Sequence, residues 1–295
     1  MVGCAAISPR PDRRTFLAAA GALLAAGLPL RAEATPRLAA IDWAMLETAI
    51  ALGHMPVAAT ELIRFRADVG HPAIPGSVTD LGLRGAPNVE LLALVRPTLI
   101  LSSPYYTHLH AGFESIAPVL SLPFYLPGQP PLPHAIDALG ALARRIGDPA
   151  AGHRARAAAQ TRLDRLAARL ARHADRPVAV VEIGDARHLR AFGSDSLHGS
   201  TLARLGLRNA WSEATAYGFL APVPLERLAE MPDARLVIAG PIPQQARGAL
   251  ARSRLWQALP QVAAGRVHHL PAMNAFGAVP AALRFGDLLA RALEA

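Results

Sequence analysis

The chain has 295 residues, enough for one large domain or for two lobes of about 100–150 residues each. Hydrophobic residues make up 52% of it and aromatic residues only 5%, so alanine and leucine fill most of the core and each aromatic side chain is a rare choice. All 30 basic residues are arginines, but they are scattered singly or in pairs without interleaved aromatics, so the net charge of +8 does not indicate nucleic-acid binding.

Residues 1–34 have the three parts of an export signal. The twin arginine Arg13-Arg14 is followed by Thr-Phe-Leu, by an apolar run from Leu17 to Leu30, and by Ala-Glu-Ala ending at Ala34. This order predicts a Tat-type signal peptide that is cleaved after Ala34. A membrane anchor is the alternative, but the apolar run has only 14 residues, fewer than the roughly 20 that span a bilayer. We therefore expect the mature protein in the periplasm.

The only cysteine, Cys4, lies within this predicted signal. The mature chain then has no thiol, so it forms no disulfide, uses no cysteine nucleophile and builds no thiolate metal site. Its stability has to come from the packed core.

Beyond the signal, short apolar runs alternate with helical patterns. Strands are predicted at 37–42, 57–60, 97–103 and 119–124, and helices at 43–53 and 88–95. Asn88 is the expected N-cap of the second helix. Arg84 lies just before that helix in a glycine-flanked turn, and two tyrosines follow the strand at 97–103. Strands that alternate with helices of this length indicate a mainly parallel sheet.

Asp148 and Pro149 begin a different element. Aspartate is a favoured N-cap and proline fits the first helical position. Apolar residues then recur at helical spacing at positions 163, 166, 167 and 170, and no proline interrupts the pattern up to position 173. The sequence therefore predicts one long helix of roughly 37 Å.

The alternation resumes after this helix. Strands are predicted at 178–183, 235–240 and 266–271, and helices at 200–207, 224–231, 253–259 and 280–294. The expected fold is α/β, with two Rossmann-like lobes joined by a single long helix. The predicted division is 1–34 for the signal, 35–147 for the first lobe, 148–174 for the connecting helix and 175–295 for the second lobe.

The patterns that usually mark an enzyme are absent from the sequence. It has no glycine-rich nucleotide motif, no H-E-x-x-H and no G-x-S-x-G. The stretch GSDSLHGS contains Ser196 and His198, which leaves an exported hydrolase as a remote alternative, but a polar loop with Ser200 capping the next helix explains it better. His108 and His110 would share one face of a strand, and His268-His269 form a second pair, yet neither pair has an acidic neighbour to complete a metal site.

Several stretches in a fixed order resemble the iron–siderophore periplasmic binding proteins of ABC importers. They include PGSVTDLGLRGAPNVELLALVRPTLIL, FESIAP, FGSDSLHGSTLARLGLRNAW and SRLWQALPQVAAGRVHHLPA, and the likeness extends over roughly residues 37–293. The form LGLR-x-x-PN-x-E-L-L resembles the hydroxamate, or ferrichrome-type, branch. The resemblance implies two α/β lobes joined by a rigid helix, a ligand cleft between them and no catalysis.

In the first lobe, the resemblance places Arg84 and Tyr106 on the ligand-binding arginine and tyrosine of the family. Arginine offers a planar, permanently charged fork to the oxygens of a ferric chelate whose iron is already fully coordinated. A tyrosine ring covers apolar ligand surface while its hydroxyl donates a hydrogen bond. Tyr105 is the neighbouring candidate. An ion pair at the surface is the alternative role for Arg84.

In the second lobe, the resemblance places two loops at the ligand. Tyr217 and Phe219 lie in the first loop, and Asn274 and Phe276 in the second. The hydroxamate branch is richer in tryptophan at these loops and near position 68, so the cleft of this chain is expected to be more polar.

The resemblance also implies partners. Glu90 and Glu226 match the acidic residues, one in each lobe, that dock on an inner-membrane ABC permease, although a carboxylate early in a helix is also favoured by the helix dipole. The expected protein is a monomer without a resident metal or cofactor, because the iron arrives inside the siderophore. The alternative function on the same scaffold is binding of haem, with Tyr105 or Tyr106 as the iron ligand, or of a cobalamin.

Overall fold

Two five-stranded sheets organise residues 36–211, 213, 215 and 220–295, which the computed structural model of the chain describes. The predicted signal at 1–34 and the predicted ligand residues Tyr217 and Phe219 lie outside these described residues. We call the part built on the first sheet the first lobe and the part built on the second sheet the second lobe. The predicted α/β fold with two lobes is confirmed.

The first sheet has the strand order β3-β2-β1-β6-β7 and is parallel throughout, as predicted. A separate antiparallel pair, β4-β5, forms a small hairpin beside it. The elements are β1 (Leu38–Ala40), α1 (Trp43–Ala51), β2 (Ala58–Ala59), α2 (Leu62–Arg64), β3 (Thr79–Asp80), β4 (Gly82–Leu83), β5 (Ala86–Pro87), α3 (Val89–Leu94), β6 (Leu99–Ser102), α4 (His110–Glu114) and β7 (Val119–Ser121). A π-helical turn, Phe65–Val69, follows α2, and a 3-10 turn, Pro104–Leu109, follows β6.

Local sequence explains where these elements begin. The strands β1 and β6 are buried along their whole length, which suits their nearly continuous apolar sequence in a sheet that is covered on both faces. The Asn88 side chain accepts a hydrogen bond from the backbone N–H of Leu91 at 2.8 Å, as expected of an N-cap. Asp42 caps α1 in the same way through the N–H of Ala44 at 2.7 Å.

Two helices connect the sheets. The predicted long helix is α6 (Pro149–Leu170, 22 residues), which begins on its Asp148 cap and ends slightly early, in the 3-10 turn Ala171–His173. The preceding helix, α5 (Pro131–Arg145), was not predicted from the sequence. Its prolines fall in the first turn, where the backbone N–H groups need no helical partner.

The second sheet has the order β10-β9-β8-β11-β12. Strands β8, β11 and β12 are parallel to one another, whereas β9 runs antiparallel to both of its neighbours, β8 and β10. Strand β9 was not predicted from the sequence. The elements are β8 (Val178–Ile183), β9 (His188–Ala191), α7 (Leu197–Arg204), β10 (Leu220–Pro224), β11 (Arg235–Ala239), α8 (Gln244–Arg252), α9 (Arg254–Ala258), α10 (Pro260–Ala263), β12 (Val267–Leu270) and α11 (Val279–Glu294). The helix predicted at 224–231 is a 3-10 turn, Leu225–Glu230.

The core of each lobe takes residues from the same connecting helices. Ala151 and Ala159 of α6 pack in the first-lobe core, whereas Leu163, Leu166 and Leu170 pack in the second-lobe core. Helices α5 and α11 also contribute to both cores. The lobes are therefore joined by buried apolar packing of three helices as well as by the chain itself. Within the described residues, no helix is long and apolar enough to cross a membrane.

Candidate ligand-binding site

The predicted first-lobe residues lie beyond the carboxyl ends of parallel strands, where ligands of open α/β sheets usually bind. Arg84 is the first of the two residues that connect β4 to β5 at the tip of the hairpin. Tyr105 and Tyr106 lie in the 3-10 turn that follows β6. The end of β1 leads to Asp42, and the end of β2 leads to Glu61.

Arg84 is held from two sides. Its Nε donates to Oε2 of Glu61 at 3.0 Å, and its backbone N–H donates to Oε1 of the same carboxylate at 3.3 Å. Its guanidinium carbon lies 4.2 Å from the centroid of the Trp43 ring. Its side chain is about one quarter exposed, and no hydrogen bond joins its Nη atoms to another described residue. The guanidinium is thus fixed at its base and has free donors at its tip.

The support beneath Arg84 comes from Trp43 and Glu61, which were not among the predicted site residues. Trp43 is buried, donates from Nε1 to the carbonyl oxygen of Thr60 at 3.0 Å, and has its ring edge-on to Phe65 at 5.0 Å. Glu61 has a left-handed backbone (φ 50°), and its carboxylate accepts both hydrogen bonds from Arg84. The sequence did contain one indication of their role, which is their position: Trp43 follows the end of strand β1 and Glu61 follows the end of β2.

The two tyrosines have different environments. Tyr106 is 6% exposed and Tyr105 is 74% exposed, and their rings meet edge-on at 5.1 Å. Burial, with Asp42 as a lesser contribution, raises the pKa of Tyr106 to about 12. Tyr106 is therefore protonated in the ligand-free protein and offers its hydroxyl as a hydrogen-bond donor.

Two of the predicted ligand residues of the second lobe, Asn274 and Phe276, are described by the structure, and both contact the first lobe. Asn274 is 4% exposed, and its amide nitrogen donates to Oε1 of Glu47 at 2.8 Å while its amide oxygen accepts the N–H of Phe276 at 3.0 Å. Both ends of the Asn274 amide are therefore engaged by protein. Phe276 is partly buried and lies edge-on to Tyr125 at 5.4 Å.

Glu47 is the most deeply buried carboxylate of this region. It lies on α1 with no exposed surface, and beyond Asn274 it accepts the N–H groups of Ala278 at 2.8 Å and Ala281 at 3.2 Å. Burial raises the pKa of Glu47 to about 7, although the three donors act in the opposite direction.

The raised pKa of Glu47 predicts a pH-dependent stability. Between the ordinary value of 4.5 and about 7, the folded protein holds this proton more tightly than the unfolded chain does, so the stability from this group is present below 4.5 and is lost as the pH rises through 7. We expect the difference in unfolding free energy between the wild type and Glu47→Gln to fall by up to about 3 kcal/mol over this interval. Urea unfolding at closely spaced pH values measures it, and a constant difference would contradict the prediction.

The predicted docking residues are both exposed at the starts of short helical elements. Glu90 lies in the first turn of α3, and Glu226 in the first turn of Leu225–Glu230. Neither forms an ion pair with another residue in the described part of the chain. Their carboxylates are thus available to a partner.

The structure does not support Ser196 and His198 as the catalytic pair of a hydrolase. Ser196, rather than Ser200, caps α7 by accepting the N–H of Gly199 at 2.9 Å. His198 is fully buried between the rings of Phe192 and Phe285, and burial lowers its pKa to about 4. Neither of its ring nitrogens bonds to a described residue, so it does not serve Ser196 as a base.

The first histidine pair differs from expectation, whereas His268 and His269 lie on β12, within the predicted strand. His108 and His110 lie in consecutive helical turns and not on a strand, and Nε2 of His110 is 3.0 Å from the Ser102 hydroxyl. No group of three or more histidine, cysteine or acidic residues is placed to hold a metal ion in the described ranges. A separate groove of about 390 Å³ between α6 and α11 contains none of the predicted ligand residues.

Comparison with known proteins shows the family to which the chain belongs. Residues 38–273 match the family described as Periplasmic binding protein. The iron(3+)-hydroxamate-binding protein FhuD of Escherichia coli is 31% identical over 257 residues, which cover 87% of this chain and 86% of that protein.

Solved structures of periplasmic binding proteins have the same fold as this chain. FhuD from Vibrio cholerae, solved with Fe3+-Desferal, has 26% identity and a TM-score of 0.82 over 89% of this chain and 99% of its own. The petrobactin-binding protein YclQ of Bacillus subtilis has the same fold, with 15% identity and a TM-score of 0.70 over 88% and 93% of the two chains. From the extent of these matches, the chain belongs to the periplasmic binding protein family.

Proposed function

We propose that this protein captures a ferric hydroxamate siderophore between its lobes and delivers it to an ABC import permease. The fixed position of Arg84 carries the proposal: Glu61 and Trp43 hold the guanidinium while its Nη donors stay available. A hydroxamate chelate presents oxygens around iron that is already fully coordinated. Such a ligand needs hydrogen-bond donors and apolar cover from the protein rather than new iron ligands.

The charges around Arg84 favour a chelate without a large negative charge. Glu61 balances Arg84 directly, and the carboxyl of Asp42 is close enough to interact with Arg84, although burial raises its pKa. The charge of these three groups together is therefore zero or −1. Three hydroxamates neutralise Fe³⁺, whereas three catecholates leave a trianion. Hydroxamate binding therefore meets no electrostatic penalty here.

The remaining predicted contacts belong to the same proposal. Tyr105 and Tyr106 supply ring surface and a hydroxyl donor, and Tyr217 and Phe219 supply uncharged aromatic surface from the second lobe. Phe276 is a further candidate contact, whereas Asn274 is assigned to holding its loop because its amide is engaged by Glu47 and Phe276. The proposal also includes export by the signal at 1–34 and action in the periplasm as a monomer. In this proposal the protein has no enzymatic activity and no resident cofactor.

Ligand titration tests the proposed function. Ferric desferrioxamine, a ferric tris-catecholate and haemin are each added to the purified protein, and tryptophan and tyrosine fluorescence is recorded. We expect saturable quenching and tight binding with the hydroxamate only. Absence of hydroxamate binding, or tighter binding of the catecholate or of haemin, would overturn the proposal.

Replacing Glu61 tests the charge argument. In Glu61→Gln, the charge of Arg84 is no longer balanced, so we expect the ratio of catecholate to hydroxamate affinity to rise about fivefold or more. Isothermal titration with both chelates measures this ratio. Asp137→Asn, which loses an exposed ion pair to Arg156 at 3.2 Å, is the matched control and should leave the ratio unchanged. An unchanged ratio in Glu61→Gln would exclude the electrostatic explanation.

Charge reversal tests the docking residues. We expect the double variant Glu90→Arg, Glu226→Arg to keep its affinity for ferric desferrioxamine but to lose at least tenfold in uptake by the cognate permease in proteoliposomes, because two attractive contacts become repulsive. The control is Glu114→Arg, an exposed carboxylate at the end of α4. Normal uptake by the double variant would refute this docking surface.

A further inference from the structure

A carboxylate of the first lobe is buried against the start of the helix that packs in the second-lobe core. Glu47 lies on α1 and receives its three hydrogen bonds from Asn274, Ala278 and Ala281, which lie 227 to 234 residues further along the chain. Ala278 is the N-cap of α11, and Ala281 is in its first turn. Glu47 therefore satisfies backbone donors that a helix start normally leaves without helical partners.

A second contact holds the same segment. The Tyr125 hydroxyl donates to the carbonyl oxygen of Gly277 at 2.7 Å, and the Tyr125 ring contacts Phe276. A Cβ at Gly277 would lie 2.5 Å and 2.6 Å from the two oxygens of Glu47, so only glycine allows this approach. The loop from 273 to 277 is thus tied by side chains from two different segments.

The position of Glu47 on α1 gives this contact its meaning. Trp43, which supports Arg84, lies four residues before Glu47, so the two side chains project from the same side of one helix. Further along the same helix, Phe285 and Leu289 of α11 pack in the second-lobe core. The single helix α1 therefore carries both Trp43, which supports Arg84, and Glu47, which holds the Phe276 loop, so the relative positions of these two parts of the site are fixed.

We propose that Glu47 is a positioning residue for the ligand site, which fixes the second lobe and its Phe276 loop relative to Arg84 before ligand arrives. The ligand-affinity part of this inference rests on the proposed function. Burying a carboxylate gives little net stability compared with apolar packing, but its directional hydrogen bonds select one arrangement of the lobes. The contact accordingly pre-organises the site and reduces the ordering that ligand binding has to accomplish.

Distance measurement between the lobes tests this proposal directly. The full chain with Cys4→Ser carries spin labels at Ala111→Cys on α4 and Ala251→Cys on α8, both exposed positions in different lobes. In ligand-free protein at a pH above 7, where Glu47 is ionised, we expect Glu47→Gln to broaden the distance distribution, because its amide NH₂ faces N–H donors. The same variant should bind ferric desferrioxamine at least tenfold more weakly. Glu182→Gln, which removes a partly buried carboxylate paired with Arg190 inside the second lobe, should change neither quantity.

Unchanged distances in folded Glu47→Gln, or broadened distances with unchanged affinity, would overturn the proposal. If Glu47→Gln does not fold, Asn274→Ala removes one of the three hydrogen bonds and is judged by the same two criteria. A wild type that fails to bind ferric desferrioxamine would refute the proposed function instead. In that case the distance distribution alone decides whether Glu47 fixes the lobes.

Discussion

Arg84→Ala is expected to weaken the binding of ferric desferrioxamine at least tenfold, equivalent to about 1.4 kcal/mol. The loss follows from the geometry, because Glu61 and Trp43 hold the guanidinium in place and its free Nη donors make charge-assisted hydrogen bonds to chelate oxygens. Isothermal titration calorimetry measures the affinity. Thermal unfolding is recorded in parallel, because the variant leaves the Glu61 carboxylate without its partner.

Two further variants make this result specific. Arg84→Lys keeps the charge but lacks the planar fork and its ring stacking, so we expect an affinity between those of the wild type and the alanine variant. Arg156→Ala removes another arginine of an ion pair, to Asp137, and should bind as the wild type does. A loss of less than tenfold in Arg84→Ala would return Arg84 to the role of an ordinary ion pair near the surface.

Gly277→Ala is expected to destabilise the protein by about 3 kcal/mol, because overpacking and loss of the Glu47 hydrogen bonds act together. The added Cβ would lie 2.5 Å from Oε2 of Glu47 and 2.5 Å from Cβ of Ala281, so either the loop or the carboxylate has to move. Such a movement separates Glu47 from the N–H groups at the start of α11. Chemical denaturation measures the free energy of unfolding.

Gly112→Ala is the matched control, since a Cβ at that exposed position on α4 would meet nothing within 4 Å. In a helix the change from glycine to alanine is expected to be neutral or to stabilise by up to about 1 kcal/mol. Equal stabilities of the Gly277→Ala and wild-type proteins would show that the loop can yield without cost. The close contact between the lobes would then not be rigid.

The joining of the lobes bears on how the protein can move. Helix α6 contributes to both cores, and α5 and α11 do the same. Opening the lobes widely would expose apolar side chains from all three helices, which costs free energy in proportion to the area exposed. We therefore expect small adjustments of the lobes on ligand binding rather than a wide hinge motion.

Sequence patterns alone were sufficient for features that depend on neighbouring residues. The long helix, its Asp148 cap and the Asn88 cap were predicted because helix starts have local rules of side-chain hydrogen bonding. The turn at Arg84 was predicted because glycines flank it. The first, parallel sheet followed from buried apolar runs that alternate with helices. The motif order also carried the family, which the comparisons confirmed.

Contacts between distant segments were decided by the tertiary structure alone. Glu61 reaches Arg84 across 23 residues, and Glu47 reaches Asn274 across 227. Sequence placed Asn274 among the ligand residues, but the fold engages its amide in a contact between the lobes. The antiparallel strand β9 was missed for the same reason, since strand direction depends on which distant edge a strand joins. Local rules choose helices, caps and turns, whereas packing of the whole chain decides which side chains meet, and at this site that packing determines how Arg84 is presented.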